Sequence, residues 1–107
     1  MAERKIDAAI INTIKDYIAV VSRHYKVDEV YLFGSYAKGN ENKDSDIDIA
    51  IISGDIKDRI GDMGKMFAMT WDVDTRIEPY PIRADDFYNR DGIMINEILR
   101  TGIPVVV

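Results

Sequence analysis

Gly34 and Ser35 end an apolar run, ten residues follow, and Asp46 and Asp48 then flank one isoleucine. In a strand, residues two apart project to the same face, roughly 6–7 Å apart. Asp46 and Asp48 therefore stand side by side, while Ile47 points into the opposite layer. Two carboxylates on one face repel unless positive charge lies between them. Oxygen ligands of this kind suit Mg²⁺ or Mn²⁺. Two such ions ~3.5–4 Å apart can clamp the attacking and leaving oxygens of a phosphoryl displacement. Gly34 lets the main chain approach a phosphate with no Cβ in the way. Ser35 offers a hydroxyl, the turn after it offers N–H groups at a helix start, and Lys38 adds charge. A bare Asp-x-Asp is most often an exposed strand end; the Gly-Ser pair at this spacing reverses the odds. No Gly-Lys-Ser/Thr follows, so the turn is not a P-loop.

A third carboxylate would complete such a site. Val73 to Tyr80 reads as a strand ended by Pro79 and Pro81. By parity Asp74, Arg76, Glu78 and Tyr80 share its polar face, against Val73, Thr75, Ile77 and Pro79. Glu78 is the expected third ligand or general base, drawing a proton from an attacking hydroxyl, and Asp74 is the runner-up. A cross-strand ion pair is the plainer role for Glu78, since parity is lost by a slip of one residue. Arg76 contacts phosphate or balances these acids.

These side chains need a scaffold. Ile6, Ile10, Ile14, Tyr17, Ile18 and Val21 recur at helical steps, giving an amphipathic helix over residues 3–23. Val27 to Phe33 reads as a first strand, Ser35 to Lys38 as a short helical turn, and Gly39 to Ser45 as a polar turn. Asp46 to Ile52 is a second strand. Beyond Asp48 it is apolar on both faces, as in a central strand covered on both sides. Ile56, Ile60, Met63, Phe67 and Trp71 form a helix stripe, expected to pack in the core. Gly61 and Gly64 weaken the middle of that helix. Asp91-Gly92 precedes a helix carrying Ile95, Ile98 and Leu99, with Gly102 as its stop. Ile103 to Val107 reads as a terminal strand, and Pro104 puts it at an edge. The expected class is α/β (α+β), a small mixed β-sheet with helices packed against it.

The 107 residues suffice for one domain, 1–107, with one modest core. No repeat, low-complexity tract or linker interrupts them. The absence of cysteine removes a disulfide framework, a thiol nucleophile and Cys-based zinc sites, and fits a reducing cytoplasm. His24 is the only histidine, which excludes a multi-histidine metal site within one chain. There is no secretory signal and no membrane-spanning run. A net charge of −5 makes long nucleic acid an unlikely substrate. EF-hand spacing is absent, which disfavours a Ca²⁺ site.

Gly34-Ser35, ten residues, then Asp46-x-Asp48 resembles the signature of the polymerase-beta-like nucleotidyltransferase superfamily. The small size resembles its minimal, MNT-type members. Thr75-Arg76-Ile77-Glu78-Pro79 is similar to the third-strand segment of some small members, with Glu78 where aspartate is common. The resemblance implies transfer of a nucleoside monophosphate from an NTP, with ATP the expected donor, to an acceptor hydroxyl. Gly34 and Ser35 would hold the β and γ phosphates, Asp46 and Asp48 the metals, and Glu78 would complete the site. It further implies a helical HEPN-type partner in a toxin–antitoxin pair, with AMP added to a tyrosine of the toxin. The alternative is a non-catalytic antitoxin or binding subunit that masks its partner by contact. No residue set reads as an adenine pocket.

Overall fold

The computed structural model describes residues 6–106. Helix α1 spans Ala8–Val21. It starts where the Asp7 carboxylate accepts from the Ala9 N–H at 2.8 Å, an N-cap that satisfies an otherwise unpaired donor. Ile10, Ile14, Tyr17, Ile18 and Val21 are all buried, as their spacing requires. The expected start at residue 3 lies outside the described residues.

Strand β1 is Glu29–Phe33, β2 is Ile47–Ser53, β3 is Ile77–Arg83 and β4 is Ile103–Pro104. They form one four-stranded sheet in the order β3-β2-β1-β4. β1 runs antiparallel to β2 and β4, while β3 runs parallel to β2. The sheet is therefore mixed and β2 is central, as its two apolar faces demand. Ile47, Ile49 and Ile51 enter the main core beneath α1; Ala50 and Ile52 enter a second cluster on the other face.

Helix α2 is the turn Ser35–Lys38, α3 is Arg59–Met69, α4 is Ala84–Tyr88 and α5 is Ile93–Thr101. α1 and α3 cover one face, where the Tyr17 hydroxyl donates to the Met66 carbonyl at 2.7 Å. Phe87 of α4 and Ile95 and Ile98 of α5 cover the other. The pattern of residues 84–88 is too short to show a period, and α4 was not expected. β4 is the outer neighbour of β1, so the terminal strand does lie at an edge, though it is shorter than expected. Among the described residues no helix is long and apolar enough to cross a membrane.

Two expectations are corrected. β3 begins at Ile77 and runs through both prolines rather than ending at them. The Ile47 N–H donates to the Arg76 carbonyl at 2.9 Å, so even-numbered main-chain groups of β3 face β2. Pro79 and Pro81 then turn their nitrogens to the open edge, where no ladder donor is needed. The second correction is the stripe of α3. Ile56 is buried but precedes the helix. Ile60 is 85% exposed, Phe67 39% and Trp71 80%. The inward side carries Asp62 and Met66.

That rotation has a local cause. The Asp62 carboxylate accepts from the N–H groups of Lys57 and Asp58 at 3.0 and 3.1 Å, and from the Tyr25 hydroxyl at 2.7 Å. These bonds, with Tyr17 on the Met66 carbonyl, hold α3 with Asp62 and Met66 inward. Despite Gly61 and Gly64 the helix is unbroken.

Candidate active site

The sheet brings three distant segments to one corner. The end of β1 lies against the start of β2, with Phe33 paired to Asp48, and Asp48 is in turn in register with Glu78 of β3. Residues in register share a face. Phe33, Asp48 and Glu78 thus form a row across the sheet, on the side of α4 and α5.

Gly34 follows directly. Its φ is +72°, a left-handed conformation that a side chain resists. A Cβ built there would collide with the Asp48 carboxylate oxygen Oδ2. The glycine is required twice over, by its backbone angle and by the carboxylate packed against it. α2 begins at Ser35 and is anchored by buried Tyr36. Gly39, at φ +84°, ends it by donating to the Ser35 carbonyl at 3.0 Å. The next loop is held by Asn42 and Ser45: Asp44 N–H donates to Asn42 Oδ1 at 2.8 Å and Asn42 N–H to Ser45 Oγ at 2.9 Å. It delivers exposed Asp46 one residue ahead of β2.

Asp48 is half-buried. Burial pushes its carboxyl up from 3.8 to about 7, helped by a hydrogen bond with Glu78 and by the negative charges of Glu78 and Asp46. The three expected carboxylates therefore act on one another. Among the described residues no three or more His, Cys, Asp or Glu side chains are already gathered closely enough to hold a metal ion. The donor set still fits a hard divalent cation: oxygen ligands only, mutually repelling, beside a turn without a Cβ. Asp74, the runner-up, lies before β3 and is held by Arg76 at 2.8 Å. That pair accounts for Arg76 as a balance to an acid. Lys38 is exposed, within electrostatic reach of Glu97 on α5.

Sequence reasoning passed over two aromatic neighbours. The Tyr80 ring meets Phe33 edge-on, with centroids 5.1 Å apart, and its hydroxyl donates to Glu78 Oε2 at 3.4 Å. Burial raises the Tyr80 hydroxyl above its ordinary value, and the charges of Asp48, Glu78 and Asp46 raise it further. The parity of β3 was the available signal, since it already put Tyr80 beside Glu78. A cleft of about 490 Å³ borders Gly34 and Lys38. Its walls are apolar at Phe33, Ile93, Met94 and Ile98, and polar at Glu97 and Thr101. No sequence signal marks it, because β1 and α5 meet only in the fold. A larger cleft, about 850 Å³, lies elsewhere, beside His24, Asp55, Lys57 and Lys65, and touches none of these carboxylates. Chemistry and not volume selects the corner.

The model of the nucleotidyltransferase domain family matches residues 14–100. The protein adenylyltransferase MntA of Shewanella oneidensis is 41% identical over 51 residues, spanning 48% of this chain and 32% of that protein. The chain thus matches about a third of that relative's length. A structure from Sulfolobus solfataricus, described as a candidate nucleotidyltransferase, superposes with a TM-score of 0.63 at 21% identity. It covers 90% of this chain and 78% of that one. A toxin–antitoxin structure with AMP-PNP gives 0.56 at 24% identity, covering 90% and 72%. A mutant MntA–HpeT toxin–antitoxin structure gives 0.55 at 22%, with the same coverage. These structural likenesses establish the fold.

Proposed function

The chain belongs to the nucleotidyltransferase domain family, and on that premise we propose that it moves AMP from ATP to an acceptor hydroxyl. The proposed acceptor is a tyrosine of a helical, HEPN-type partner protein. The carrying observation is the corner itself: Gly34 is packed on Asp48, and Asp48 lies in register with Glu78. The adenylyltransferase relative supports the choice of AMP, and the toxin–antitoxin neighbours support a protein partner.

In this reading Gly34 and Ser35 hold the β and γ phosphates, and Lys38 adds a positive charge from the exposed side of the turn. The nucleoside enters the cleft beside Gly34, between Phe33 and α5. Asp46, Asp48 and Glu78 would hold Mg²⁺ or Mn²⁺, which supplies charge neutralisation for the phosphates. The acceptor oxygen attacks the α-phosphorus, the bond to the bridging oxygen of the β-phosphate breaks, and pyrophosphate leaves. Glu78 takes the hydroxyl proton. Such chemistry needs positioning and charge more than covalent participation by the protein.

The test uses ATP labelled at the α-phosphate, Mg²⁺ and the protein encoded beside this chain. Label should pass to the partner with release of pyrophosphate, and ATP labelled at the γ-phosphate should transfer none. Asp48→Asn should abolish transfer. If the partner is silenced without label, and Asp46→Asn with Asp48→Asn silences it equally well, the chain masks its partner by contact and the enzyme reading is wrong.

A further inference from the structure

The outward face of α3 has no role in the fold or in the active-site corner. Ile60 and Phe67 lie on it, together with exposed Gly64 and Ala68, exposed Trp71 follows in the 3₁₀ turn Thr70–Asp72, and no charge interrupts this line. From their exposures, the large side chains offer roughly 400 Å² of apolar surface, about half of one side of a standard interface. A patch of that size is about that of the largest apolar patch on a monomer, which is often functional.

We propose that this face pairs with the same face of a second copy of the chain, α3 against α3, antiparallel about a two-fold axis beside Lys65 and Met66. Three observations select a second copy. The face is self-complementary: an antiparallel partner sets Ile60 against Trp71 of the other copy, and Phe67 against its Gly64, where no side chain stands. A Cβ added at Gly64 would meet nothing within 4 Å, so this hollow is open. The ends are also complementary. Lys57 stands just before the helix and Asp72 just after it, along the same flank, so antiparallel packing brings a basic end to an acidic end and opposes the helix dipoles. The other acids at these ends are engaged: Asp58 folds over Gly61, and Asp74 is held by Arg76. Finally, extension of the sheet from β3 is a poor route. Pro79 and Pro81 leave the outer edge of β3 without donors, and the Ile77 N–H is already bonded to the Asp74 carbonyl at 3.2 Å.

Sedimentation of the full chain tests this. At roughly 100 µM, above the micromolar dissociation constants of modest interfaces, it should run as a dimer and dissociate on dilution. Phe67→Ser with Trp71→Ser should weaken dimerisation at least tenfold, while an unchanged melting transition of the diluted protein shows that the fold persists. Lys57→Glu and Asp72→Lys should each weaken it several-fold, and mixing the two variants should restore a heterodimer. A wild-type chain that stays monomeric overturns the proposal. So does a dimer indifferent to Phe67 and Trp71, or charge variants that fail to rescue each other. A monomer that loses affinity for a different protein on Phe67→Ser assigns the face to that protein instead.

Discussion

Asp48 and Asp62 are the same residue type in opposite circumstances. Asp62 is buried among donors, and its carboxyl is held below the usual carboxylate value, first by the Tyr25 hydroxyl and then by the N–H groups of Lys57 and Asp58 and the charge of Lys65. Asp48 is crowded by burial and by two other acids, and is pushed up to about 7. A carboxylate that the fold satisfies is part of the fold. One that the fold leaves in conflict is a candidate for a role outside the fold.

The largest expected effect separates the two in function. Asp48→Asn should lower nucleotidyl transfer by at least ~100-fold, since electrostatic groups at a reacting centre commonly contribute that much. Asp62→Asn, if folded, should leave the rate per folded molecule within a few-fold. Equal losses in the labelled-ATP assay would break the distinction.

Stability should move the other way. Asp62→Ala removes a charged acceptor from three donors and should cost about 2–4 kcal/mol in urea unfolding. Asp48→Asn in metal-free buffer at pH 8 should be neutral or stabilising, by about 1–2 kcal/mol once solvent screening is allowed for. A destabilised Asp48→Asn would mean that the carboxylate is structural after all.

The pH dependence carries the same opposition. Asp62 has a lowered value, so its contribution is full above the ordinary 3.8 and is lost as pH falls below it. Asp48 has a raised value, so its contribution is full below 3.8 and is lost as pH rises toward about 7. Asp48→Asn should therefore flatten the fall in stability between these limits, and Asp62→Asn should blunt the acid limb. Unfolding followed across pH without metal reads both. A smaller effect than that of Asp62→Ala is expected of Tyr25→Phe, about 1.5 kcal/mol for one hydrogen bond to a charged group. It should weaken the acid limb and leave the Asp48 window untouched.

The contrast also sorts what could be read from residue order. α1, β1, the centrality of β2 and the Gly34–Asp48 spacing were legible because each depends on a local period or a short separation. The opposed directions of Ile47 and Asp48 follow from strand parity alone. The outward turn of Phe67 and Trp71 was not legible. The helical period of α3 is real, but an apolar stripe says only that a face is apolar, and Asp62 bonded to Tyr25 decides which face turns inward. Pro79 and Pro81 misled for a similar reason. A proline ends a strand only where its missing donor is needed, and that depends on which neighbour the strand has.

The sequence by itself determined the chemical inventory of the corner: a glycine where the chain must come close, a hydroxyl, and carboxylates two apart on one face. Only the tertiary structure set Glu78 beside Asp48, engaged Asp74 with Arg76, and opened a cleft between Phe33 and α5. The reason is range. Backbone periodicity acts over a few residues, whereas register between β2 and β3 and the crowding of charges depend on which strands the core brings together.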